Sequence, residues 1–328
     1  AHEGVPYQVI DPPGPVPIRY EDLRSLDSEL REERMKAILS EEWSYPFDLA
    51  SDLMLRVTLV RMADDEHDLF VVAHHIAIDA DSFDILKHEL AEVYRAHSRG
   101  EAPDLRELPI QYADVAIRQR DQLGSAEGEA ALDHWVQRLA GTPPTLALPA
   151  SRPRPRTFSY RGDWVRFRVP GEASSSLIGL ASAEGATTFM TLVAGLSAML
   201  QRYTGETDIL VGAPGTERSS VATEALIGFF VNTLPLRTDV SGDPSFRTLL
   251  GRVRATMLDA LAHRDVPFVA MVERVQPPRD PSRSPLIQVM CAMAHGGEER
   301  FTLPSITSIP LRAASKDRST KLDLTVYG

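Results

Sequence analysis

The chain has 328 residues, 43% of them hydrophobic and 25% charged, and a formal net charge of −11. That is enough apolar material for one large domain or two ordinary ones, and the acidic balance argues against a nucleic-acid partner, because phosphate binding needs a basic surface. No apolar run approaches membrane-spanning length, no signal peptide opens the chain, and the lone Cys291 excludes an internal disulfide and suits a reducing cytoplasm.

In chain order, residues 1–20 are proline-rich (Pro12, Pro13, Pro15, Pro17) and read as an extended connector. Leu23 to Ser40 has helical spacing and many charges, as expected of a surface helix. Leu53 to Met62 alternates as a strand. Asp64, Asp65 and Glu66 make a turn, and Leu69 to His75 returns as the second strand of a hairpin. A helix follows, capped by Asp81 or Ser82, with Phe83, Leu86, Leu90 and Val93 on its inner face and Gly100 at its end. Helices are expected at Tyr112 to Leu123, Leu132 to Leu139, Leu177 to Ser182, Phe189 to Tyr203 and Phe246 to Leu261. Strands are expected at Asp163 to Val169, Ile209 to Gly212, Ile227 to Arg237, Ile287 to Ala294 and Leu322 to Tyr327. Helices and strands mix without strict alternation, and no short internal repeat appears. The break at Gly124, Ser125 and Gly128 is the best candidate boundary.

The most informative stretch is Val71-Val72-Ala73-His74-His75-Ile76-Ala77-Ile78-Asp79. Two imidazoles end a buried, β-branched run, and an ionisable ring there costs free energy unless it is paired or used. If the strand persists to its end, the two rings point to opposite faces. Adjacent strand residues cannot easily aim at one ion, so a metal reading of His74, His75 and Asp79 is weak. No Cys-x-x-Cys, His-Glu-x-x-His, Gly-x-Ser-x-Gly or glycine-rich phosphate loop occurs.

The stretch resembles the His-His-x-x-x-Asp-Gly motif of the condensation domains of nonribosomal peptide synthetases, a superfamily that includes chloramphenicol acetyltransferase. Four further segments resemble that family in its order: Gln111 to Ala116, Ile227 to Leu234 (Ile-Gly-Phe-Phe-Val-Asn-Thr-Leu), His263 to Phe268 (His-Arg-Asp-Val-Pro-Phe) and Arg279 to Leu286 (Arg-Asp-Pro-Ser-Arg-Ser-Pro-Leu). The motif glycine is Ala80 here and the usual following aromatic is Asp81. The family's two N-terminal motifs would precede Ala1.

The resemblance implies a mixed α/β fold of two chloramphenicol acetyltransferase-like subdomains in a V-shaped arrangement. Residues 1–123 would be the first, N-terminally incomplete, and 124–328 the second, with a substrate tunnel between them. It implies an acyltransferase that joins a carrier-bound acyl or peptidyl thioester to the amine of a carrier-bound aminoacyl acceptor. The chain itself would bind no cofactor and no metal; the 4'-phosphopantetheine arms belong to donor and acceptor carrier proteins, which with adjacent synthetase domains are the expected partners. The catalytic motif is His75, His74 and Asp79. His75 is the expected general base or amine-positioning group, His74 is structural, and Asp79 is better read as half of an ion pair with Arg218 than as a second acid. Ala80, Ser82, Gly228 and Asn232 are the cleft residues. Arg152, Arg154, Arg156 and Arg161 form a basic run, read first as a solvated loop. Three rivals remain: a silent docking platform of the same fold, which Ala80 favours; an epimerisation domain, which shares the histidines and Asp79 to Ser82; and a free-standing acyltransferase.

Overall fold

The computed structural model describes residues 6–143, 145–218, 220–293, 301, 303–309 and 320–328. The described chain packs as two units that meet in sequence at the Ile78–Asp79 peptide: residues 6–78, and residues 79–309 with 320–328.

In the first unit, β1 (Ile18–Asp22) runs parallel to β2 (Leu55–Arg61), and β2 pairs antiparallel with β3 (His67–Ala73), giving the order β1-β2-β3. The parallel pair needs a crossover, and α1 (Ser28–Trp43) supplies it. Asp27 caps α1 by accepting from the Glu29 and Leu30 amides. Met35, Ile38 and Leu39 lie at helical spacing and pack on Leu23, Val60 and Phe70. Glu42, at the end of α1, is buried and takes Arg19 (3.2 Å), Arg56 (3.0 Å) and Thr58 (2.9 Å) as partners. Burial pushes its carboxyl up, but Arg56, Thr58 and Arg19 together hold it below the usual carboxylate range.

Two expectations change here. The connector does not extend to residue 20, because Ile18–Asp22 gains a ladder with β2. The returning strand ends at Ala73, two residues before His75.

The second unit contains α2 (Ala80–Arg99), α3 (Tyr112–Leu123), α4 (Ala126–Leu139), α5 (Gly171–Ala183), α6 (Thr188–Thr204), β4 (Asp208–Thr216), β5 (Val231–Asp239), α7 (Phe246–Ala262), α8 (Phe268–Val275), β6 (Val289–Ala292) and β7 (Leu324–Tyr327). Its sheet has the order β5-β4-β6-β7, antiparallel between β4 and β5 and parallel thereafter. Trp135 and Leu139 of α4, Val193 and Leu200 of α6, and Leu250, Val253 and Met257 of α7 bury against Ile209, Val211, Leu234 and Leu236 of the sheet. The indole N–H of Trp135 donates to the His263 carbonyl at 2.9 Å, so its one polar atom is paired.

The sequence break is a tight turn at Gly124 and Ser125 between α3 and α4, with Gly128 in the first turn of α4, all within the second unit. A Cβ on Gly128 would lie 2.1 Å from the Gln122 carbonyl oxygen, so glycine lets the two helices close on each other. The expected strand at Asp163 to Val169 is not formed. Val165 and Phe167 are 87% and 77% exposed, and no strand among the described residues pairs with them. The expected strand end at Ala294 lies outside the described residues, whereas α8 was not expected.

Candidate functional site

β3 delivers the two histidines onto a turn. The His74 amide still donates to Met54 (3.0 Å), and the His74 carbonyl accepts from Ala77 (3.0 Å), which closes the turn. The His74 ring is half-buried, meets Phe47 edge-on at 5.7 Å, and accepts the Ile76 amide on Nδ1 at 3.1 Å. Those contacts hold the ring against Phe47 and the turn. His75 is exposed, and its Nδ1 lies 2.7 Å from the Ile78 carbonyl oxygen. A carbonyl can only accept, so this nitrogen carries the proton and the neutral ring has its lone pair on Nε2. The strand ends before either histidine, so the condition for opposite facing across the pleat is not met and the turn carries both rings.

Asp79 caps α2 and is the centre of the second unit's buried polar cluster. It is 1% exposed. One carboxylate oxygen accepts the Ser82 amide (2.8 Å), the Ser82 hydroxyl (2.6 Å) and the Arg218 guanidinium (3.2 Å), and the other accepts the Phe230 amide at 2.9 Å. Burial pushes this carboxyl up, but Ser82, Phe230 and Arg218 together hold it below the ordinary aspartate value, so it stays ionised. A carboxylate with these partners orients its surroundings and is a poor proton donor. The Asp79 amide donates to Gly228 (3.1 Å), which fixes the chain at the start of α2.

Ser82 is fully buried and its single hydroxyl proton goes to the stronger acceptor, Asp79. Its lone pairs face the Gly228 amide (3.0 Å) and Arg218 (2.6 Å). Arg218 also donates to the Thr223 and Leu226 carbonyls, both at 2.8 Å, and lies over the Phe230 ring at 4.1 Å. Its Nε has no hydrogen bond; the nearest carboxylate, on Asp81, is 3.8 Å away. Gly228 admits the Tyr112 ring: a Cβ there would lie 2.3 Å from Cδ2 of Tyr112, whose hydroxyl donates to Phe229 at 2.8 Å. Ala80, the first residue of α2, is exposed and its backbone is outside the left-handed region, so the helix start does not itself require glycine.

Asn232 lies near the start of β5 and is buried. Its amide nitrogen donates to Arg264 (2.9 Å) and Val266 (2.7 Å), and its oxygen accepts the Thr233 (2.8 Å) and Phe268 (2.9 Å) amides. It therefore clamps the 264–268 loop onto β5. Arg154 is paired with Asp323 at 2.5 Å and with the Ser282 carbonyl at 3.0 Å, which accounts for one member of the basic run.

Two groups escaped sequence reading. Glu217 follows β4, is half-buried, and accepts a hydrogen bond from Gln119 of α3. Burial first, and then the Asp265 charge, push its carboxyl up to about 7, against the opposing pull of Gln119. The second group is His134, Asp259 and His263, the one cluster among the described residues able to hold a metal. Gln119 and Glu217 lie on separate elements; Asp259 and His263 share the i, i+4 spacing at the end of α7, but His134 lies on α4, so neither group has a complete local signature.

A family profile described as Condensation domain matches residues 1–327. A linear gramicidin synthase of Brevibacillus parabrevis is 42% identical over 99% of the chain, and phosphinothricin tripeptide synthetase PhsB of Streptomyces viridochromogenes is 43% identical over 95%. The chain spans 6% and 26% of those two proteins. Among solved structures, the X-domain in its complex with OxyB from teicoplanin biosynthesis is 30% identical with a TM-score of 0.83; the alignment covers 96% of this chain and 67% of that one. The mixed α/β architecture is the chloramphenicol acetyltransferase-like one expected from the sequence. No single helix among the described residues is long and apolar enough to cross a membrane.

Proposed function

The chain belongs to the condensation domain family of nonribosomal peptide synthetases, whose reaction is acyl transfer with amide-bond formation, and we propose that this chain joins a donor thioester to an acceptor amine at His75. Condensation domains act in synthetase modules beside carrier proteins that bear phosphopantetheine. On this reading the donor and acceptor arms come from two such carriers, and the setting is the cytoplasm, where the buried Cys291 thiol stays reduced.

The observation that carries the proposal is the 2.7 Å contact from His75 Nδ1 to Ile78, which puts the lone pair on Nε2. The acceptor's amine nitrogen forms a bond to the thioester carbon while its proton passes to Nε2, or is held there until the tetrahedral adduct collapses. The C–S bond then breaks, and the leaving thiolate takes a proton. Thioesters are already activated, so orientation and a correctly placed base supply most of what is needed. Asp79, Ser82, Gly228 and Arg218 act at one remove, by fixing the start of α2, and Asn232 by holding the 264–268 loop. Read by evolutionary lobes, residues 1–123 and 124–328 are the two acetyltransferase-like halves.

The test is a reconstituted reaction with loaded donor and acceptor carriers, followed by mass spectrometry of the acceptor arm. The intact domain should form product, and His75→Ala should lose roughly 10²–10⁴-fold in rate with its melting temperature unchanged. Equal rates in the two proteins end the assignment. A second reading, a non-condensing platform that recruits another enzyme, is favoured by Ala80 at the motif glycine and by the relative solved in complex with OxyB. It requires that the intact domain form no product from any loaded pair.

A further inference from the structure

We infer that His134, Asp259 and His263 form a binding site for one divalent transition metal of the zinc type, joining α4 to the last turn of α7. Asp259 and His263 are four residues apart where α7 ends, so both side chains leave the same face of the helix. His134 comes from α4. One ligand atom from each of the three lies within 4.8 Å of the others.

The distances favour a tetrahedral ion. Zinc bonds to nitrogen and carboxylate oxygen are about 2.0–2.1 Å long, so neighbouring ligand atoms in a tetrahedron lie about 3.3 Å apart. His134 Nε2 and Asp259 Oδ1 are 3.3 Å apart. His263 Nδ1 is 3.8 Å from the same oxygen and donates to the Asp259 carbonyl at 3.0 Å, so binding a metal must displace that hydrogen bond and move the ring's proton to Nε2. The rings of His134 and His263 are stacked, 3.7 Å apart and 9° from parallel, so one must turn about its Cβ–Cγ bond for both lone pairs to converge.

A second observation points the same way. His134 Nε2 is inaccessible to solvent and makes no hydrogen bond, although Asp259 Oδ1 lies 3.3 Å away. A buried ring nitrogen with no hydrogen-bond partner is costly, and a cation would satisfy it. Supporting contacts are in place around the ligands. Arg138 Nε sits 3.4 Å from the second Asp259 oxygen, and the His263 carbonyl accepts from Trp135. His134 also lines an open cleft of about 820 Å³ shared with Arg138, Asp208, Arg237 and Arg252. The bound ion would tie α4 to the start of the 263–268 loop, whose other end is held by Asn232.

The test uses untagged protein stripped with chelator. Zinc is titrated by calorimetry, and cobalt(II) by its visible ligand-field bands. One equivalent should bind, the cobalt spectrum should be that of a four-coordinate nitrogen–oxygen site, and zinc should raise the melting temperature by about 2 °C or more. His134→Gln, which keeps a polar side chain of similar length, and His263→Ala should each weaken binding by about 10-fold or more. His88→Ala, on α2, should leave it unchanged. Circular dichroism establishes that each variant is folded. Should a variant fail to fold, the cobalt spectrum of the unaltered protein decides: an octahedral spectrum or no saturable binding overturns the site. Affinity that survives both ligand substitutions overturns it equally.

Discussion

The Glu217 carboxyl makes the stability of the second unit depend on pH in a direction opposite to that of a paired acid. Its folded value is raised from 4.5 to about 7, a difference worth about 3 kcal/mol when expressed in full. The folded chain holds this proton more tightly than the unfolded chain. The stability it contributes is therefore complete below 4.5 and is lost as pH rises through about 7. Between pH 5 and pH 8 the loss is roughly 2 kcal/mol. Glu217→Gln removes the titration and keeps an oxygen to accept from Gln119. Urea denaturation of both proteins at half-unit steps from pH 5 to pH 8 should give curves that start close together and diverge, with the variant about 2 kcal/mol more stable at the upper end. The cause is burial, reinforced by Asp265, so Asp265→Asn should reduce the divergence without abolishing it. Curves that stay parallel across this range would refute the reasoning.

Arg218→Ala leaves Asp79 buried without its cation and frees two carbonyls, and should destabilise the domain by about 3 kcal/mol in denaturant melts. Arg218→Lys should recover little of that, since one ammonium cannot reach Asp79, Thr223 and Leu226 together. Gly228→Ala drives a methyl into the Tyr112 ring and should cost about 1–3 kcal/mol. In a Tyr112→Leu background the added cost should fall by at least half, which a double-mutant cycle reads directly. Asn232→Ala leaves the Thr233 and Phe268 amides and two carbonyls unpaired and should cost about 2–4 kcal/mol, with proteolysis of the 264–268 loop accelerating in parallel.

The β2–β3 hairpin could be read from the chain because the first strand alternates, the second is a continuous apolar run and acidic residues mark the turn; α2 could be read because its apolar positions keep helical spacing. β1 could not. Its residues Arg19, Glu21 and Asp22 look like a solvated loop until α1 brings Glu41 and Glu42 over the sheet to pair with Arg19. The segment at Asp163 to Val169 failed the other way: it has the alternation of a strand, but pairing is a property of a neighbour, and no strand among the described residues pairs with it, although the Trp164 ring lies 5.3 Å from that of Tyr327 in β7. The same distinction separates the parts of the site. A motif names Asp79 and a second segment names Arg218, so the meeting of those two could be guessed. Nothing local marks Ser82 as the hydroxyl that Asp79, Arg218 and Gly228 share, or joins Gln119 to Glu217. Asp79 lies 139 positions from Arg218 and 151 from Phe230. A capping carboxylate that draws its partners from so far along the chain holds α2 in place only when the sheet that carries them has folded. Substitutions around it should therefore register in the stability of the second unit.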